Sequence, residues 1–381
     1  MYKLDWTILL PSLLLLILGL IIIASSSFYI AESHGLGLWH YLEHQLIFVA
    51  LGIIISIFLI KFDIYTIRKH SFSIFIFGLL ALLLVVIPGV GHKVNGSMRW
   101  LHFGPISLQV SEFMKLAAII YVADFLVRNS NMLAISYQPH VSLLVVWGLL
   151  AALLLKEPDF GSLVVIVVAT AAIWFIVGCR LRYLLIMLLF GGSALTAMIW
   201  LAPYRLKRLT TFFHPWQHAY DSGYQLTQSL IAFGRGGLWG QGLGASLQKQ
   251  FYLPEAHTDF LYAILCEELG FFAGLFVILL FAIIIARCLI IGKKCLNIGA
   301  EFHAYICYGI AAWFAVQVLI NLSVNMGLLP TKGLTLPLMS YGGSSLLVSM
   351  LALSLVLKVN YELKSKPVLY LKAVSNWRRK L

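Results

Sequence analysis

Residues 259 to 291 read "DFLYAILCEELGFFAGLFVILLFAIIIARCLII". No charged side chain occurs between Leu269 and Ala286. An uncharged run of that length is long enough to cross the hydrocarbon core of a bilayer, and here also to tilt or to emerge from it. Just upstream, "LPEAHTDF" (253–260) sets Glu255, His257 and Asp259 at the mouth of the run, and Glu267 and Glu268 lie two turns further in. Four of the chain's 15 acidic residues therefore fall within 253–271. Charge at the mouth of a membrane helix is costly, so it needs a purpose.

Working outward, the 381-residue chain is 61% hydrophobic and 11% charged, with a mean hydropathy of +0.93. A soluble domain of this length cannot hide so much apolar surface, which leaves an all-α polytopic membrane protein. About ten segments have spanning length: roughly 8–30, 44–62, 71–90, 108–127, 139–156, 160–178, 183–202, 259–291, 302–327 and 343–362. The first is too long for the core of a cleaved signal peptide and reads as a retained span. No soluble block separates the segments, so residues 1–381 read as a single membrane domain with one long loop (203–258) and a basic tail (363–381).

Basic residues set the orientation. Counting alternate connections and the tail, 17 of the 27 Lys and Arg residues fall on one side. The opposite short loops hold only Lys93, Arg99, Lys156 and Lys332. The positive-inside rule then makes both termini cytoplasmic and puts the 203–258 loop and "LPEAHTDF" outside. Topology thus accounts for the net charge of +12 without a nucleic-acid partner. The five cysteines lie in or beside apolar runs without metal-ligand spacing and read as structural thiols.

With sides assigned, several unusual polar residues reach the external face together. "SEFMK" opens the fourth segment, and its Glu112 and Lys115 share one helix face at i, i+3. They read either as an ion pair locking two helices or as part of a polar cavity. Lys156 and Asp159 lie in the turn "KEPDFG", where Asp159 also suits a helix N-cap. Asp259 enters the eighth segment and competes with Thr258 as its cap. Lys332 lies in the last external loop, Arg235 follows a short amphipathic patch, and Ser344 belongs to "YGGSS", whose backbone N–H groups suit an anion. In the long loop, "PYRLKRLTTFFHPW" sets Arg205, Lys207 and Arg208 among aromatics, either as an interface with anionic head groups or as ordinary snorkelling side chains. Glu267 and Glu268 point about 100° apart, so at most one faces the same cavity as Asp259. Asp124, near the inner end of the fourth segment, reads as interfacial and solvated.

Four stretches, "PYRLKRLTTFFHPW", "SGYQLTQSLIAFGRGGLWGQGLG", "LPEAHTDFLYAILCEELGF" and "GLLPTKGLTLPLMSYGGSSLL", together resemble the SEDS proteins (shape, elongation, division and sporulation). "VNGSMRWLHFGPISLQVSEFMKLA" and "ADFLVRN" look closer to the division member of that family than to the elongation member. The chain departs from the family pattern at Val110, where proline is usual, and at Glu157, where glutamine is common. The resemblance implies a peptidoglycan glycosyltransferase at the septum of the bacterial cytoplasmic membrane. It would polymerise lipid II, a disaccharide-peptide on polyprenyl pyrophosphate, by inverting transfer. It also implies a class B penicillin-binding transpeptidase and other divisome proteins as partners. The essential acid of the family's "HTDF" motif falls on Asp259, which makes Asp259 the candidate general base. Glu255 and His257 are then its neighbours, and Lys115, Lys332 or Arg235 the cations for the leaving pyrophosphate. Asp159 and Glu112 then either position Lys115 or hold a divalent cation. Two alternatives are a lipid II flippase and a division scaffold. A flippase needs charges along the inner half and inverted repeats, and the unusual acids lie outside.

Overall fold

The structure is a computed structural model that describes residues 5–87, 91–94, 97–103, 106–133, 135–179 and 211–365, with isolated positions between 182 and 192. The seventh predicted segment, the Arg205, Lys207 and Arg208 cluster and the tail beyond 365 lie outside the described residues. Each of the other predicted segments meets a helix. These are α1 (Trp6–Ser33), α2 (His40–Lys61), α3 (Ser71–Val86), α4 (Val110–Arg128), α5 (Gln138–Lys156) and α6 (Phe160–Ile176). Beyond the gap come α7 (Tyr224–Gly236), α8 (Leu261–Asn297), α9 (Glu301–Asn325) and α10 (Gly343–Ser365). Among the described helices, α1, α2, α5, α8, α9 and α10 are long and apolar enough to cross a membrane, and α3 and α6 are shorter apolar helices.

The helices sort by what surrounds them. α2 and α3 turn large apolar side chains outward, among them Phe58 at 57% and Phe77 at 66% exposure, as a lipid-facing helix must. α4 is wrapped by α3, α6 and α9. That position explains why it can carry Glu112, Lys115, Asp124 and Arg128: its charges meet protein instead of lipid. α8 packs on α9 and α1, and α2 packs on α10.

A small sheet adds to the helical plan. Strands β1 (His92–Val94), β2 (Ser97–Phe103) and β3 (Ile106–Gln109) run antiparallel in that order, ahead of α4. In register, Trp100 lies opposite Gln109 and Leu101 opposite Leu108. The sequence pairs Asn95-Gly96 and Gly104-Pro105 between these strands are turn formers.

Polar ties bind the end of the bundle at which α1 begins. Asp5 caps α1 and accepts from Arg287 of α8 (2.8 Å) and Asn360 of α10 (2.9 Å). Asp124 is buried, not solvated as its position suggested, because Arg68, Arg128 and Ser71 all converge on its carboxylate. All five cysteines are buried and free.

The long helix α8 is broken at Gly270, which has φ 81° and ψ −178°. A break inside a bilayer frees backbone groups that lipid cannot satisfy. The glycine-rich segment after α7 satisfies them. Gln241 N–H donates to Glu267 O (3.0 Å), Gly242 N–H to Glu268 O (2.9 Å) and Phe271 N–H to Gly237 O (3.0 Å). The approach is so close that a methyl group on Gly270 would stand 2.4 Å from Gly240 N. Gly270→Ala therefore combines a left-handed backbone with a collision, and we expect it to destabilise the protein by about 2 kcal/mol or more. Gly148, inside α5, has open space where its methyl group would go. Gly148→Ala should be neutral or stabilising by up to about 1 kcal/mol. Thermal unfolding of both variants in detergent checks the contrast.

Candidate active site

Asp259 sits one residue before the N-cap of α8. Neither it nor Thr258 caps that helix: the N-cap is Phe260, and the side-chain partner of the first turn comes from α9, where Asn325 Oδ1 accepts from Ala263 N at 3.2 Å. Its backbone is instead held by the neighbouring helix. Asn321 Nδ2 and Asn325 Nδ2 of α9 each donate to Asp259 O at 2.9 Å. Asn321 also donates to Leu334 O (2.6 Å), so one side chain ties Asp259 to the last external loop. The side chain of Asp259 lies against that loop, with Oδ2 3.0 Å from where a methyl group on Gly333 would be. The neighbouring Lys332 places its ammonium over the Phe160 ring at 4.5 Å, at the start of α6.

The carboxyl of Asp259 is far from ordinary. Burial, and next the charge of Glu255, raise its pKa from 3.8 to about 7, against the opposing pull of Arg99. Glu255 stands in a left-handed backbone conformation (φ 56°) and accepts from Thr258 Oγ1 at 2.7 Å. His257 stacks loosely with Tyr41 and Tyr341, and burial pushes its pKa below the usual imidazole value. It remains a neutral, packed ring and not a cation.

A second polar layer lies where β3, α6 and α10 meet. Asp159 does cap α6, through Ser162 N (3.2 Å), and its other oxygen accepts from Ser111 Oγ (2.6 Å) and Gln109 Nε2 (3.3 Å). Ser344 Oγ accepts from Gln109 N at 2.9 Å, which fastens the start of α10 to the same point. Both Asp159 oxygens are thus taken up by donors. Among the described residues no group of three or more His, Cys, Asp or Glu side chains is placed to hold a metal ion.

Glu112 and Lys115 form the interhelical lock. Lys115 Nζ is 2.7 Å from Glu112 Oε1 and 2.8 Å from Gln317 Oε1 of α9, with its charge 5.3 Å from the Trp313 ring. Lys115 is wholly buried. Of the three cations proposed for a leaving group, it is therefore committed inside the protein. Arg235 is committed too: its Nε bonds Glu267 Oε1 at 3.0 Å, about two turns along α8 from Asp259. Ser246 also donates to Glu267, while Lys249 pairs with Glu268 (2.8 Å). These two acids hold the segment after α7 on the helix break. Lys156 points outward and is exposed.

Sequence reasoning passed over Arg99 and the asparagines. Arg99, on β2, donates from Nε to Glu157 O (3.1 Å) and from Nη2 to Pro158 O (2.5 Å), and its charge acts on both Asp259 and Glu157. Gln317, Asn321 and Asn325 recur every fourth residue along α9, a polar stripe on one face of a membrane helix that was readable beforehand. Beside the site, an apolar cavity of about 470 Å³ is lined by Leu230, Phe233, Tyr262, Cys266, Phe271 and Met326, among others.

Comparisons with known proteins bear on the family and the fold. The family model described as "Cell cycle protein" (FtsW, RodA, SpoVE) matches residues 5–365. The "Probable peptidoglycan glycosyltransferase FtsW" of Coxiella burnetii is 46% identical over 358 residues, 94% of this chain and 96% of that protein. Two solved structures share the fold. One is a chain from a structure titled for the coordination of polymerization and crosslinking by a peptidoglycan synthase complex. It has a TM-score of 0.75 at 23% identity and covers 96% of this chain and 100% of its own. The other is the rod shape determining protein RodA of Thermus thermophilus, with a TM-score of 0.70 at 24% identity over 94% and 97%.

Removing one partner of the buried Glu112–Lys115 pair strands a charge away from water. We expect Lys115→Met to cost about 3–5 kcal/mol and a double Glu112→Gln, Lys115→Met change to recover part of it. A double-mutant cycle on thermal unfolding in detergent measures the coupling.

Proposed function

We infer from membership in the FtsW, RodA and SpoVE family, to which this chain belongs, that it is a peptidoglycan glycosyltransferase that polymerises lipid II. It is a multi-pass membrane protein, and we place it at the division septum beside a class B penicillin-binding transpeptidase.

The observation that carries the mechanism is the carboxyl of Asp259, whose pKa is raised to about 7. A general base works best when its pKa is near the working pH, and an ordinary aspartate is too weak. In our reading Asp259 takes the proton from the 4-hydroxyl of the acceptor sugar. The oxygen then attacks the anomeric carbon of the donor, and lipid pyrophosphate departs from the opposite face, so the configuration inverts. Developing negative charge on the pyrophosphate needs cations. Arg99 and Lys332 are our candidates, and Lys115 is wholly buried in its pair with Glu112. Arg99 uses two of its five N–H groups on the Glu157–Pro158 turn, which leaves others for an anion. Asn321 and Asn325 keep the base in position through its backbone. The apolar cavity beside Tyr262, less than one turn along from Asp259, suits the polyprenyl part of such a substrate.

The test uses purified protein, its transpeptidase partner and labelled lipid II. Asp259→Asn should lower polymer formation by at least about 100-fold while the protein stays folded. Equal polymer from both forms sinks the catalytic role. No polymer from either, with lipid translocation intact in vesicles, favours a flippase. The sign of the pH response follows from the chemistry. The base must be deprotonated, so kcat/KM should rise with pH and level off above about 7, the pKa of Asp259. A profile flat between about pH 5.5 and 7.5 argues against this base.

A further inference from the structure

The first turn of α2 carries rings that the mechanism above does not use. Tyr41 packs against His257 at 5.1 Å and Tyr341 at 5.2 Å between ring centroids, and His257 meets Tyr341 at 5.4 Å. The group extends along α2, where His40 packs on Tyr41 at 5.6 Å and His44 Nδ1 lies 3.3 Å from Tyr341 Oη. Three segments distant in sequence thus bring five rings to one place. Tyr41, His44, His257 and Tyr341 are half-buried, and His40 is exposed. That place adjoins the candidate base. His257 is two residues from Asp259, at most about 7 Å along the backbone, and its carbonyl accepts from Tyr341 N at 3.0 Å.

The rings are also held in position. Gln45 is 1% exposed, a costly place for an amide on a membrane helix. It donates from Nε2 to Ser340 O (3.2 Å) and accepts at Oε1 from Gly342 N (3.3 Å), so it grips the backbone on both sides of Tyr341. Aromatic residues of an interfacial belt stand at headgroup level around a bundle. These rings instead pack on one another and end beside a carboxyl. Among them, His257 Nδ1 is buried with no hydrogen-bond partner among the described residues.

We propose that Tyr41, Tyr341 and His257 form the subsite for the acceptor saccharide, the sugar whose 4-hydroxyl reaches Asp259. The proposal rests on the glycosyltransferase reading and adds where the acceptor sits. A pyranose has an apolar C–H face and a rim of hydroxyl groups. A tyrosine offers a flat apolar ring with a polar tip, which matches both parts of that surface. His257 adds a ring nitrogen for a hydroxyl, and a bond there satisfies a group that burial leaves unpaired. Because Gln45 fixes Tyr341 beforehand, little freedom is lost when the sugar binds.

The probe is a lipid-free, peptide-free tetrasaccharide of alternating N-acetylglucosamine and N-acetylmuramic acid. Its binding to the full chain in detergent is read by saturation-transfer NMR. Tyr41→Leu and Tyr341→Leu keep apolar bulk and remove the ring, and each should raise Kd about tenfold. Tyr41→Phe keeps the ring and should raise Kd no more than about threefold. With the transpeptidase partner and labelled lipid II, Tyr41→Leu should raise KM about tenfold and lower kcat far less. Thermal unfolding checks that each variant is folded, and Tyr41→Leu carries the test should Tyr341→Leu not fold. No signal transfer to the native chain overturns the proposal, as does a folded Tyr41→Leu with native Kd and KM. Equal losses in Tyr41→Phe and Tyr41→Leu overturn it too, because the ring face is then not what binds. A loss seen only with a lower unfolding temperature makes the rings a structural wedge and likewise overturns it. The two readings fail separately. A native chain that binds the tetrasaccharide through Tyr41 but makes no polymer removes the glycosyltransferase reading and keeps a saccharide site. A native chain that polymerises, with Tyr41→Leu unimpaired, removes the subsite alone.

Discussion

Hydrocarbon offers no hydrogen bonds, so every polar group below the membrane surface must find its partner within the protein. Here the demand is heaviest along α9. Its Gln317, Asn321 and Asn325 reach, in order, the buried ammonium of Lys115, the carbonyl of Leu334 and the carbonyl of Asp259. One helix face therefore joins the fourth predicted segment, the last external loop and the mouth of α8. The candidate base inherits its position from this stripe. Its backbone carbonyl is pinned by two amides, and its side chain remains directed at the Gly333 loop.

The same constraint accounts for the acids beyond Phe260. Glu267 and Glu268 stand beside the break at Gly270, where the helix cannot bond to itself. Arg235 and Ser246 hold the first acid, and Lys249 with Ser25 of α1 holds the second. The glycine-rich loop supplies the missing backbone partners. A membrane helix is interrupted without exposing bare amide groups, and the external loop is fastened down by the same contacts. The acids next to the opening motif are thus two kinds of group. Those before Phe260 shape the chemistry of a carboxyl, and those after it repair a helix.

The site electrostatics follow from crowding carboxyl groups around few cations. Asp259 feels Glu255 and burial, which raise its pKa, and Arg99, which lowers it. Asp159 is satisfied by hydroxyl, amide and backbone donors and needs no cation. The two lysines and one arginine that sequence position placed at a leaving group divide by partner. Lys115 and Arg235 are bound to carboxylates, and Lys332 rests over an aromatic ring beside the site.

Much of this was legible in the chain alone, because membrane solvation writes long signals into sequence. Apolar runs marked nearly every described helix, the basic residues gave an expected orientation, and the motif around Asp259 offered one candidate acid among its neighbours. Asp159 was readable as a cap, and Glu112 with Lys115 as a pair, since both depend only on local spacing. The break at Gly270, the strands before α4 and the seat of Arg99 were not readable in this way. Each depends on a partner distant in sequence: Gly240 for the break, Gln109 opposite Trp100 for the sheet, and the Glu157 carbonyl for the arginine. Composition and periodicity thus determined the environment and the described spans, and the resemblance of the HTDF motif supplied the candidate acid. Tertiary structure decided which cation stands near Asp259 and how far its proton affinity is raised, because those depend on burial and on charges brought together by packing.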